Sequence, residues 1–89
     1  MKVFKYTVPQ PNDDYVSEVI LPVSAQILSV GIQKDEMVIW ARVEYPNEPK
    51  RARQLIVGNT GVALPFTNGR FIGTVESSGV VWHVFECGN

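Results

Sequence analysis

At 89 residues the chain is long enough for one hydrophobic core, yet short enough that contacts with a partner would add usefully to its stability. Hydrophobic residues reach 45% and charged residues 19%, with a formal net charge of -1, which excludes a disordered tail and argues against a protein that coats a nucleic-acid polymer. Cys87 is the lone cysteine and His83 the lone histidine, which rules out an internal disulfide and the usual structural zinc sites, so no metal and no cofactor is expected.

Proline and glycine cut the chain at short intervals, and between the cuts Val, Ile, Tyr, Phe, Trp and Thr dominate, as they do in strands. Strands are predicted at Val3 to Val8, Tyr15 to Leu21, Gln26 to Gln33, Met37 to Tyr45, Arg51 to Val57, Arg70 to Glu76 and Val80 to Cys87. No helix of three turns fits. The expected fold is all-β over a single domain, 1–89, either a small antiparallel meander sheet or a sandwich or barrel-like arrangement of about six or seven strands. The opening Met1-Lys2-Val3-Phe4-Lys5-Tyr6 lacks the apolar run of a signal peptide, and no segment approaches the roughly 18 apolar residues of a membrane span. The expectation is a cytoplasmic protein with no membrane partner.

Two hairpins can be registered from their turns. With Lys34-Asp35 as a two-residue turn, Gln33 faces Glu36, Ile32 faces Met37, Val30 faces Ile39 and Leu28 faces Ala41, giving one apolar face that a slip of one residue would destroy. With Ser77-Ser78-Gly79 as a three-residue loop, Val75 faces Val81, Phe71 faces Phe85 and His83 falls opposite Gly73. Both sides of that last hairpin are apolar, so a second sheet or another subunit is expected to cover it, and a homo-oligomer is anticipated.

A third hairpin, with Pro46-Asn47-Glu48-Pro49 as its connection, would set Glu44 against Arg51, Arg42 against Arg53 and Trp40 against Leu55, with Ile27 beside Arg42 and Ser29 beside Trp40. Like charges directly opposed are unfavourable unless an anion lies between them. Trp40, Arg42 and Arg53 therefore form a candidate ligand-binding face, where an indole stacks a base and guanidinium groups hold a phosphate or carboxylate. The competing reading pairs Glu44 with both Arg51 and Arg53 and gives Trp40 to the core or to a subunit interface. The stretch from Gly58 to Gly69 reads as a long loop, and Asn59 and Thr60 within it join the candidate set.

Catalytic chemistry is not expected. The only imidazole lies mid-strand, and no Walker loop, dinucleotide fingerprint, metal-ligand cluster or paired carboxylates at helical spacing appears. The overall charge is wrong for a nucleic-acid polymer, whereas a small anionic nucleotide asks only for two or three basic groups and an aromatic.

The phrases Leu21-Pro22-Val23-Ser24-Ala25-Gln26-Ile27-Leu28-Ser29-Val30, Ile39-Trp40-Ala41, Ile56-Val57-Gly58-Asn59-Thr60-Gly61, Phe71-Ile72-Gly73-Thr74-Val75 and Val81-Trp82-His83-Val84-Phe85-Glu86 resemble a widespread family of small tailed-phage and prophage proteins of unknown function, almost end to end. That family opens with a Lys-Tyr strand, here Lys5-Tyr6, and carries a Leu-Pro-x-Gly-Ala turn where this chain has Ser24 in place of glycine. A Gly-Thr-Gly-His-Pro-like loop is replaced by the run from Gly58 to Pro65, so any role of the family histidine does not transfer. In size and character the chain is also similar to the anti-CBASS sponge class of phage counter-defence proteins. That resemblance implies sequestration of a cyclic dinucleotide or trinucleotide in the host cytoplasm, without cleavage. The alternative is a non-enzymatic phage protein-interaction or structural module that uses the same aromatic and arginine face as a protein interface.

Overall fold

The computed structural model describes residues 1–64 and 69–87. They hold seven strands and no helix: β1 Lys2–Thr7, β2 Val16–Pro22, β3 Gln26–Gln33, β4 Glu36–Val43, β5 Lys50–Asn59, β6 Arg70–Ser77 and β7 Val80–Glu86. Every pairing is antiparallel, in a three-stranded sheet ordered β1-β4-β3 and a four-stranded sheet ordered β2-β5-β7-β6. The all-β expectation holds as two facing sheets, not as a meander. Their inner faces meet in one core, with Ile27, Ile39, Ala41 and Val43 from the smaller sheet against Val19, Leu21, Leu55, Val57 and Val84 from the larger.

The hairpin of β3 and β4 closes through Lys34 and Asp35, both left-handed at φ 50° and 64°, the backbone that matches strand twist in a two-residue turn. Its register follows the expected pairs from Gln33 and Glu36 to Ser29 and Trp40, then slips at a bulge. Leu28 is the extra residue, so Ile27, not Leu28, faces Ala41 and enters the core, while Leu28 is left exposed. Gln26, not Ile27, lies beside Arg42.

The β6–β7 turn is also a two-residue one, with Ser78 at φ 53° and Gly79 at φ 81°, and not the three-residue loop the sequence suggests. Val75 therefore faces Trp82 and Thr74 faces His83. A second bulge between Phe71 and Gly73 absorbs the one-residue difference and restores Phe71 opposite Phe85. The side carrying Val84 is covered by the three-stranded sheet.

No hairpin joins β4 to β5. β4 uses both of its edges on β1 and β3, and β5 uses both on β2 and β7, so the segment Glu44 to Pro49 carries the chain from one sheet to the other. It is fastened to the β2–β3 turn: Val23 N–H donates to the Pro49 carbonyl, and Ser24 donates both its N–H and its hydroxyl to the Glu48 carboxylate.

Candidate functional site

The crossing of Glu44 to Pro49 separates the residues that sequence reasoning put together. Trp40 and Arg42 alternate with the inward residues Ile39, Ala41 and Val43, so both stand on the outer face of the three-stranded sheet. Arg53 belongs to the other sheet, where it pairs with Val19, and it does not face Arg42. Asn59 ends β5 opposite Trp82, about 20 Å along the strand from Arg53 at the usual rise per residue. Thr60 lies just beyond it. No single surface of the chain holds all five residues.

On the outer face, Trp40 is half-buried and lies across Gly31 of β3, where a Cβ would come within 2.7 Å of the indole ring. Only glycine leaves the ring that room. Ser29 sits directly opposite Trp40 on one side and Lys5 on the other. The Lys5 side chain crosses the sheet and donates to Gln33 Oε1 at 2.8 Å. Arg42, two residues along on the same face, reaches Glu44 Oε1 at 3.2 Å, and the amino terminus lies 4.0 Å from the other oxygen of that carboxylate. The face thus presents an aromatic plane between two exposed cations, with Glu44 at one margin. Lys5 is the member that sequence reasoning missed, because its place beside Trp40 depends on the non-consecutive pairing of β1 with β4.

Arg53 has a different environment. Its Nε and Nη2 both reach Glu86 Oε2, at 2.7 and 2.6 Å, and its Nη1 donates to the Ala25 carbonyl at 2.8 Å. Arg70 donates to the Ile27 carbonyl at 2.7 Å and lies 3.3 Å from Glu86 Oε1. Two arginines of the four-stranded sheet, with one carboxylate between them, thereby bond the carbonyls at and beside the start of β3 in the other sheet. The like charges do have an anion between them, but the pair is Arg53 and Arg70 and the anion is Glu86. Arg70 opposite Glu86 follows from the Phe71–Phe85 register by a single step along the ladder, a signal the sequence does contain.

A cleft of about 350 Å³ opens beside this clasp. Its lining includes Arg51 and Arg53 but also Glu18 and Glu86, so the formal charges cancel. Cys87 stands at its edge, and burial, with the Glu86 carboxylate adding, raises its thiol above the ordinary 9.0. Thr60 is committed elsewhere: its hydroxyl is 2.8 Å from His83 Nε2, while the Thr74 hydroxyl is 3.0 Å from Nδ1. His83 is thus a hydrogen-bonded residue on the outer side of β7. Of the long loop expected from Gly58 to Gly69, the first two residues are strand, Leu64 lies against Gly58, and 65–68 fall outside the described residues. Among the described residues no group of three or more His, Cys, Asp or Glu could hold a metal ion, and no helix is long and apolar enough to cross a membrane.

A family model covers residues 1–89, and its description is a domain of unknown function, DUF7352. The chain belongs to that family. No curated protein matches it, and no solved structure does. Membership therefore attaches no activity to the family's residues here, and the placement of Trp40, Arg42 and Lys5 on one face is the observation from which a function has to be argued.

Proposed function

We propose that this domain binds its target without transforming it, and that the target is a small anionic nucleotide of the cyclic dinucleotide or trinucleotide kind, sequestered as a phage sponge in the host cytoplasm. The observation that carries the reading is the outer face of β4. Trp40 is seated on Gly31 as a stacking plane, and Lys5 and Arg42 flank it to hold phosphate. Arg42 is shared with Glu44 at an exposed margin, where a phosphate competes for it at little cost. Arg53 leaves the ligand set, because its donors are engaged by Glu86 and Ala25. Both ring nitrogens of His83 are tied to threonine hydroxyls and the Cys87 thiol is held protonated, so neither is poised as base or nucleophile. A flat face excludes little water on its own. A homo-oligomer that brings two such faces to one ligand supplies the missing walls.

A protein-interaction module is the second reading, and it has its own observation: the cleft beside Arg53 and Glu86 is formally neutral, and the concavity between the Lys34–Asp35 and Ser78–Gly79 turns is lined by Asp35 and Glu36 without a basic residue. Tryptophan and arginine are also the residues that anchor protein interfaces.

A thermal-shift screen against cyclic dinucleotides, cyclic trinucleotides and linear mononucleotides separates the two. A ligand at a hundred times its Kd adds roughly 2.7 kcal/mol to stability. The expected result is a shift with a cyclic species that Trp40→Ala reduces by roughly 1 to 3 kcal/mol of affinity. Silence across the panel overturns the nucleotide reading.

A further inference from the structure

The ladder between β5 and β7 stops short of the end of β5. β7 pairs with β5 from Asn59 back to Leu55, and one further bond, from the Cys87 N–H to the Gln54 carbonyl at 2.9 Å, closes the last rung. β5 itself continues to Lys50, paired on its other side with β2. Main-chain groups alternate in direction along an antiparallel strand. The Val57 N–H bonds Tyr15 on the β2 side and the Gln54 carbonyl bonds Cys87 on the β7 side, so the N–H and carbonyl of Ala52 point to the side that β7 leaves open. Among the described residues neither group has a partner. The cleft of about 350 Å³ lies at this open edge, lined by Arg51, Ala52, Arg53 and Gln54 of β5, by Cys87, and by Val23 and Ala25 of the β2–β3 turn.

An open strand edge beside a cleft takes up an extended peptide as an added strand, main-chain bonds giving affinity and side chains giving selectivity. The edge from Lys50 to Arg53 runs about 13 Å at the usual rise per residue. Charge then selects the peptide. Arg53 and Glu86 are bonded to each other, and Glu18 accepts from Gln54 Nε2 at 3.3 Å. Among the described residues the exposed Lys50 and Arg51 have no side-chain hydrogen bond or ion pair, so the open edge offers two free cations on successive residues. We propose that this edge of β5 binds an extended acidic peptide of a partner protein, antiparallel to β5 and in line with β7. The peptide residue opposite Ala52 exchanges both main-chain bonds with it. The residue before it lies opposite Arg53, on the side of Val23 and Ala25, and the two after it are acidic, opposite Arg51 and Lys50. This edge is separate from the outer face of β4, so the proposal stands whether or not that face binds a nucleotide.

The test uses the full chain, isotope-labelled, titrated with the tetrapeptide Val-Thr-Glu-Glu capped at both ends. It is expected to shift the Arg51, Ala52 and Gln54 amides saturably at millimolar concentration, and to slow hydrogen exchange of the Ala52 amide about tenfold when about nine-tenths of the sites are filled. The same peptide N-methylated at threonine lacks the N–H that meets the Ala52 carbonyl, and Val-Thr-Lys-Lys carries the opposite charge; each is expected to bind about tenfold more weakly. Arg51→Glu, on an exposed position, is expected to weaken Val-Thr-Glu-Glu to a similar degree. Equal binding of the N-methylated or the lysine peptide, unchanged affinity in the Arg51→Glu variant, or no saturable shift in the wild-type chain would each overturn the proposal. Protection of the Ala52 amide that rises with protein concentration in the absence of peptide would overturn it as well, by assigning the edge to a second copy of this chain.

Discussion

The Arg53 side chain is 13% exposed and directs its donors to Glu86 and the Ala25 carbonyl, whereas the Arg42 side chain is 48% exposed beside Glu44. Removing one partner from a largely buried pair leaves the other charge uncompensated, so Arg53→Ala is expected to cost about 3 kcal/mol, the low end for such pairs because Arg70 still faces Glu86. Arg42→Ala is expected to change stability by less than about 1 kcal/mol. Denaturant melts of the two variants check this. Equal and small effects would mean that the clasp contributes nothing to joining the sheets. The outcome reverses what facing arginines would give, since relief of repulsion would have made Arg53→Ala neutral or stabilising. Cys87 gives a second check at this scale. Its thiol is raised, chiefly by burial and further by Glu86, and only the thiolate is nucleophilic. Alkylation by iodoacetamide should therefore be slow at neutral pH and should reach half its limiting rate only above 9.0, with Glu86→Gln moving that midpoint down. A midpoint below that of a free thiol would contradict the assigned environment.

Each strand is legible in the sequence, because proline and glycine mark its ends and alternation marks its faces, and the same alternation sets the β3–β4 register over its turn-proximal half. The bulges were not legible. Nothing in Gln26-Ile27-Leu28-Ser29 distinguishes Leu28 from Ile27 as the inward residue until the Arg53 and Arg70 bonds to the neighbouring carbonyls are known. In the last hairpin two departures cancelled: a turn one residue shorter than expected and a bulge one residue long together return Phe71 to Phe85. That turn is Ser78-Gly79 with both residues left-handed, and serine pays a steric cost there that asparagine largely avoids. Ser78→Asn is expected to stabilise the domain by about 0.5 to 1 kcal/mol, measured by denaturant melts. A loss of stability would show that Ser78 has a role beyond the turn.

Alternation shows which residues share a face but not which strand lies next to which, and that is why Trp40 with Arg42 could be read from the sequence and Arg42 against Arg53 could not. The partner of a strand depends on where its connections cross, and here β1 finds β4 and β2 finds β5 only through non-consecutive pairing. The same topology leaves an unfinished side. β3 and β6 run close together at one margin of the sandwich, so β1 and β2 bound the other, each with one unpaired edge. Phe4 points to the core side of β1, opposite the buried Ala41, yet it is 36% exposed, and its neighbours Val3 and Met1 are exposed as well. An inward-directed phenylalanine left partly in water beside a free strand edge fits the edge-to-edge pairing of two copies about a twofold axis, which would double the three-stranded sheet and set two Trp40 faces side by side. Light scattering at micromolar concentration is then expected to give a mass of at least twice the 9.9 kDa chain. Phe4→Lys is expected to return it to a monomer that still melts cooperatively, since the substituted side chain lies at the margin and not among the fully buried residues. A wild-type monomer, or a Phe4→Lys variant with unchanged mass, would remove this seam as the interface.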